Sequence, residues 1–191
     1  MHQIIVTEFI TLDGVIEAPG GGDYAHAGWT FKDIEFVPEA YEIKGREQEE
    51  AAGLLLGRVS FEEFAPVWPS MDEEFPLYNR MPKYVVSTSL TEAEVTECGW
   101  ENCRLLRSIE DVRALKEQGE GPIYVHGSAS LAQSLAEAGI VDRYHLLTFP
   151  LVLGEGKRLF AEDGDRKQRL SLVEEKAFSN GIRLAVYDVV A

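Results

Sequence analysis

The stretch Ala51–Phe64, AAGLLLGRVSFEEF, holds the residues of this chain best suited to chemistry. It reads as a short buried strand through Leu54, Leu55 and Leu56, then a glycine, an arginine and a helix start. Ser60-Phe61-Glu62-Glu63 has the spacing of a capping box, in which the Ser60 hydroxyl serves the Glu63 amide and the Glu63 side chain reaches back. A helix N-terminus carries free N–H groups and partial positive charge, so it draws anions. Arg58 stands at the carboxyl end of the strand, where ligands of open α/β sheets bind. Its planar, permanently charged guanidinium suits a phosphate. A plain strand-to-helix turn with an exposed arginine is the alternative reading. No metal set accompanies these residues: Cys98 and Cys103 have neither a second Cys pair nor a His pair near them and are expected to be free thiols.

Such an anion site must work against the chain as a whole. The formal net charge of −15 over 191 residues argues against nucleic acid and anionic membranes as partners, because both need clustered Lys and Arg. No apolar run approaches the roughly 20 residues that span a bilayer. The segment MHQIIVTEF does not read as a secretory signal, so a cytoplasmic protein is expected. The length suffices for one domain, residues 1–191, with a full hydrophobic core.

Strands and helices alternate along the chain. Gln3–Leu12 is a first, central strand, ended by the turn pair Asp13-Gly14, with Val15-Ile16-Glu17 continuing extended. A glycine-rich loop then runs to about Trp29. A helix is predicted over 37–51, and Pro66, Pro69 and Pro76 mark a surface loop after the helix that follows Ser60. Lys83–Ser87 and Cys103–Leu106 read as strands. Ser108 caps a helix running to Gln118, with Gly119 as its stop. Pro122–His126 is a strand leading through Gly127-Ser128-Ala129-Ser130 into a helix over Leu131–Ala138, and Arg143–Phe149 is a strand. Leu170–Phe178 and Ile182–Val190, joined by Ser179-Asn180-Gly181, form a hairpin. The expected fold is α/β, a mixed, mostly parallel sheet with flanking helices and a C-terminal hairpin.

Five segments in order carry a resemblance: Thr11-Leu12-Asp13-Gly14-Val15-Ile16, Leu55–Glu62, Val86-Ser87-Thr88-Ser89-Leu90, Val125–Leu131, and Leu151–Phe160. In these the chain resembles the dihydrofolate reductase superfamily, of the type found as the reductase domain of riboflavin biosynthesis, over essentially its whole length. The resemblance implies a three-layer fold around about eight strands, and a bound NADPH. It implies that Gly57 lets the backbone approach the cofactor and that Arg58 and Ser60 contact the phosphates of its adenosine half. Ser87, Thr88 and Ser89 would cradle the 2′-phosphate side, and Gly127, Ser128 and Ala129 the pyrophosphate. Asp13 and Gly14 would lie where the first strand meets nicotinamide and substrate, with Asp13 a candidate proton source or only a turn former. Trp29, with His26, would line a substrate wall or cover a core edge.

The chain departs from the pattern at His126, which replaces the first of two glycines and reads as a packed or exposed strand-end residue rather than a catalytic one. Dihydrofolate reductases also engage the pterin with a carboxylate on the first helix. Counting back from Gly57 lands near Tyr41, beside Glu39 and Glu42, and neither takes that role, so dihydrofolate is not the expected substrate. The implied activity is hydride transfer from NADPH to a small heteroaromatic, imine or carbonyl compound. A non-catalytic nucleotide- or pterin/flavin-binding module is the alternative. Relatives of this type commonly dimerise, and the apolar region 146–160 and final hairpin lead us to expect a homodimer.

Overall fold

The computed structural model describes residues 1–161 and 167–190. Its sheet is built from the apolar runs. β1 is Gln3–Thr11, β2 Gly53–Gly57, β3 Lys83–Val86, β4 Cys103–Leu106, β5 Pro122–His126, β6 Arg143–Phe149, β7 Arg169–Ala177 and β8 Arg183–Val190. They form one eight-stranded sheet in the order β4-β3-β2-β5-β1-β6-β8-β7. The first six run parallel, and β8 lies antiparallel between β6 and β7. Leu54, Leu55 and Leu56 are each 1% exposed or less, as continuous apolar runs in a parallel sheet covered on both faces must be. Each contributes about 1.5–3 kcal/mol of burial.

Two layers of helix cover the sheet. Ile4, Val6 and Ile10 of β1 pack with Val112 of α6 (Ile109–Glu117) and with Leu131 and Leu135 of α7 (Ala129–Glu137). On the opposite face, Ile5, Leu54 and Leu56 meet Phe61 of α3 (Arg58–Phe64), Tyr78 of α4 (Pro76–Arg80) and Val95 of α5 (Glu92–Thr96). The β6 and β8 end of that face packs on Ile43 of α2 (Glu42–Glu50) and Trp29 of α1 (Trp29–Lys32). The expected three-layer α/β architecture with a C-terminal hairpin is the one observed. Strand β5 inserts between β2 and β1, so the chain reverses its direction of growth there. This switch point leaves the carboxyl ends of β1, β2 and β5 along one crevice.

Several boundaries differ from expectation. The helix over 37–51 splits into a 3₁₀ turn, Pro38–Ala40, and α2, because Tyr41 breaks the run. The proline-marked loop contains α4, started by Pro76. The Ser60 capping box does not form. Extended Gly57 is itself the N-cap, α3 begins at Arg58, and Ser60 lies buried inside the helix. Helix α7 begins two residues early, at Ala129, because Ser128 turns the chain with φ of 63°. The Ser108 capping box does form, with Asp111 as its partner, and Cys98 and Cys103 are free thiols.

Candidate functional site

Residues distant in sequence converge at the ends of β2 and β5. The Gly57 amide donates to Ser128 Oγ at 2.7 Å, and Ser128 Oγ donates to Ser60 Oγ at 2.7 Å. A Cβ on Gly57 would come within 3.1 Å of Ser128 Oγ, and one on Gly127 within 3.0 Å of Ser60 Oγ. Gly127 and Ser128 hold successive left-handed conformations, φ 62° and 63°. A serine in that region is strained, and such strain gathers at ligand sites. No side chain caps the first turn of α7, so its amides face the crevice end of the sheet unserved by a cap. The result is a small concave cradle of hydroxyls and helix-end N–H groups.

Arg58 stands exposed at the rim, its Nη1 2.8 Å from Glu62 one turn on. An exposed i,i+4 pair is worth only about 0.3–0.5 kcal/mol, so the guanidinium is readily released to a ligand. At the end of β3, Ser87 Oγ accepts from the amides of Ser89 and Leu90, which folds the loop and leaves Thr88 and Ser89 exposed. Arg107, just past β4, donates to the carbonyls of Ser87 and Leu90. It brings a second cation to this loop that the sequence reading missed, because only the β3–β4 pairing brings it there.

On the far side of β1 lies a buried polar cluster, also unread in the sequence. Glu47 of α2 is 2% exposed. Its Oε1 accepts from Thr7 Oγ1 and from His145 Nδ1, each at 2.7 Å, and its Oε2 from Lys44 Nζ at 3.1 Å. Lys44 also donates to Thr7 Oγ1 and sits over the Phe9 ring. Burial pushes the Glu47 carboxyl up, but the Lys44 ammonium, the His145 hydrogen bond and the two neighbouring imidazoles outweigh it and hold the group down at about 2. His126 caps the cluster, its Nδ1 3.4 Å from Tyr78 Oη and its Nε2 3.8 Å from Glu47. Burial and the nearby Lys44 charge, against the opposing pull of Glu47, lower its pKa to about 3, so it is neutral. Glu39 and Glu42 stay exposed. The signal for Glu47 was present, since Ala40, Ile43 and Glu47 recur at helical spacing as one buried stripe.

Two expected site residues are placed differently. Trp29 is fully buried, donates from Nε1 to the Glu17 carbonyl and meets Phe149 edge to face. It belongs to the core rather than to a substrate wall, packed in the cluster of Ile43, Phe149 and Ile182. The Asp13 carboxylate is engaged locally: it accepts from Thr11 Oγ1 at 2.6 Å and from the Leu153 and Gly154 amides at 3.3 and 2.8 Å. Its slight desolvation raises the pKa, but these hydrogen bonds outweigh it and hold the carboxyl below the usual range. Gly14 follows with φ of 84° at the turn. His26 lies 3.9 Å from Glu155 at the surface. Among the described residues no group of His, Cys, Asp and Glu could hold a metal, and no helix is long and apolar enough to cross a membrane.

The whole chain has relatives among known proteins. The profile of the RibD C-terminal domain family matches residues 2–184. The uncharacterised protein YyaP of Bacillus subtilis strain 168 is 32% identical over 196 residues, covering 97% of this chain and 94% of its own. Among solved structures, a Shewanella sp. PV-4 protein assigned to riboflavin biosynthesis superposes with a TM-score of 0.78 at 21% identity, covering 99% of each chain. The dihydrofolate reductase of Enterococcus faecalis, solved with NADP(H), superposes with a TM-score of 0.60 at 17% identity, covering 99% of this chain and 97% of its own. At these identities the structural likeness establishes a shared fold.

Proposed function

Because the chain belongs to the RibD C-terminal domain family, we propose that it is an NADPH-dependent reductase of a small heteroaromatic, imine- or carbonyl-bearing compound. A ribosylaminopyrimidine of riboflavin biosynthesis is the closest chemical label for the substrate. The carrying observation is the cradle of Gly57, Ser60, Gly127 and Ser128, which side chains at either glycine would fill. A pyrophosphate fits it: the Ser60 hydroxyl and α7 amides donate, and the glycines allow contact with backbone. Ala129, the first residue of α7, keeps that approach free of bulk. Arg58, with Ser87, Thr88, Ser89 and Arg107, suits an added phosphate. NADPH supplies the hydride when bound, and the protein's part is binding, orientation and electrostatics.

On the substrate side, the Glu47 cluster offers a fixed negative charge, and neutral His126 and Tyr78 offer polar atoms beside it. Asp13, with Gly14, serves in this reading to hold the end of β1 against the loop at Leu153-Gly154. A depressed, ionised carboxyl cannot donate a proton, so Asp13 is not the proton source. The proton comes from water or from the substrate itself.

The test is a fluorescence titration with NADPH and NADH, followed by NADPH oxidation across imine, pterin and ribosylaminopyrimidine substrates. Arg58→Ala is expected to weaken NADPH roughly ten- to hundredfold, the value of one charge-assisted hydrogen bond, and to affect NADH far less. Equal weakening of both would move Arg58 from the 2′-phosphate to the pyrophosphate. Binding of NADPH without turnover on any of these substrates would favour a binding module.

The reading includes a cytoplasmic setting, which suits two unbridged cysteines, and a homodimer. The edge strand β7 exposes Leu170, Leu172 and Val173, and an exposed apolar edge is commonly covered. Light scattering at micromolar concentration is expected to give twice the 21.3 kDa chain mass. A monomer there removes the dimer and leaves the enzyme reading intact.

A further inference from the structure

Glu8 sits in the interior of β1, 4% exposed, among strand neighbours that are apolar or hydroxyl-bearing. Its Oε1 is the single buried side-chain polar atom among the described residues that has no hydrogen-bond partner. A leucine there would pack without that cost. Glu8 lies on the same face of β1 as Val6 and Ile10, which pack with α7, and its carboxyl lies close to the Gly127 amide. It therefore adjoins the cradle on the β1 side.

The order of the strands says what should meet it. The loop suited to the 2′-phosphate ends β3, and the pyrophosphate cradle spans β2 and β5. Continuing in the order β3-β2-β5-β1, the next position is β1, beside Gly127. Three strand spacings of about 4.8 Å cover roughly 14 Å, the scale of an extended dinucleotide. The end that reaches β1 is the nicotinamide end.

We propose that Glu8 pairs with the carboxamide of the nicotinamide ring, an inference that rests on the NADPH reading above. The chemistry is complementary. Burial pushes the Glu8 carboxyl up to about 8, against the Lys44 ammonium and the Gly127 amide, which lower it, and with the Glu47 charge adding to the rise. The charges of Lys44 and Glu47 on α2 act on it electrostatically, and its own charge acts on Tyr78 of α4. A protonated carboxyl offers one donor and one acceptor side by side, and a primary carboxamide offers the matching acceptor and donor. A group kept at a cost to the fold and satisfied by the ligand is what a binding residue looks like.

The experiment measures three ligands by calorimetry on the parent, Glu8→Leu and Glu8→Gln: NADP⁺, its 3-acetylpyridine analogue, and 2′,5′-ADP. In the analogue a methyl ketone replaces the carboxamide, and 2′,5′-ADP has no nicotinamide. Glu8→Leu is expected to melt no lower than the parent, to bind NADP⁺ about tenfold or more weakly, and to bind 2′,5′-ADP like the parent. Glu8→Gln, which keeps a donor and an acceptor, should bind NADP⁺ within a few-fold of the parent. The parent should prefer NADP⁺ to the analogue, and Glu8→Leu should lose that preference. If Glu8→Leu binds NADP⁺ like the parent, or weakens 2′,5′-ADP equally, the pairing is wrong. Absence of any preference in the parent overturns it even if Glu8→Leu does not fold. A parent that binds 2′,5′-ADP but ignores Glu8 overturns this inference alone; a parent that binds none of the three ligands overturns the cofactor reading with it.

Discussion

Valine in place of Gly127 is expected to reduce NADPH affinity by more than about a hundredfold, at or below the detection limit of a fluorescence titration. Two effects act together. The backbone there has φ of 62°, a conformation L residues resist and β-branched ones resist most. A Cβ would also come within 3.0 Å of Ser60 Oγ, in the floor of the cradle. The backbone strain costs about 1–2 kcal/mol, less than a large core cavity, so the variant should still fold. Gly139→Ala is the control. It too has positive φ, 68°, but at the far end of α7. It should lower the melting temperature by a similar amount and leave NADPH affinity unchanged. If Gly127→Val folds and binds NADPH like the parent, the cofactor does not lie on this turn.

The second large effect is expected at Glu47. Removing one partner of a buried, hydrogen-bonded ion pair typically costs about 3–5 kcal/mol, because the other charge stays behind unpaired. Glu47→Ala strands Lys44 and removes the acceptor for Thr7 and His145. In a domain of this size that corresponds to a fall of roughly 10 °C in melting temperature. Glu47→Gln keeps part of the hydrogen bonding and should fall less. The pH dependence carries its own signature. A carboxyl held at about 2 in the fold and near 4.5 when unfolded stabilises the protein above pH 4.5 and loses that contribution as pH falls through 2. Glu8 acts oppositely: a folded value near 8 means stability is lost as pH rises from about 4.5 through 8. Melting curves across pH should therefore flatten on the acid limb in Glu47→Gln and on the neutral limb in Glu8→Gln. An acid limb unchanged in Glu47→Gln would show that the cluster does not hold this carboxylate ionised.

What could be read from the sequence was what local chemistry dictates. The runs LLL, PIYVH and RYHLLTF could hardly be anything but buried strands, and Asn180-Gly181 marked its hairpin. The glycines at 57 and 127 stood out because they fall where strands end. Harder were features decided by residues far apart. Ser60 read as a cap because its neighbours in sequence fit a capping box, but its hydroxyl belongs to Ser128, 68 residues on. Arg107 reaches the Ser87–Ser89 loop only through the β3–β4 pairing. Glu47 was lost among many solvated acids: helical spacing aligns it with Ala40 and Ile43, but its pairing depends on Thr7 of β1 and His145 of β6. Trp29 stood between a substrate wall and a core edge for a similar reason, and its burial against Phe149 decides for the core.

The insertion of β5 between β1 and β2 also sets when the protein can mature. Until the chain has grown past residue 126, nothing fills the place between β1 and β2, and both strands present open backbone edges there. A partly synthesised chain therefore carries two adhesive strands with nothing to close them, the kind of species that sticks to others of its kind. The two glycines of the cradle arrive 70 positions apart and meet only after that late closure. Nucleotide present in the cell cannot assist the early steps and can only trap the finished sheet, so the ligand acts on this fold as a latch rather than as a template.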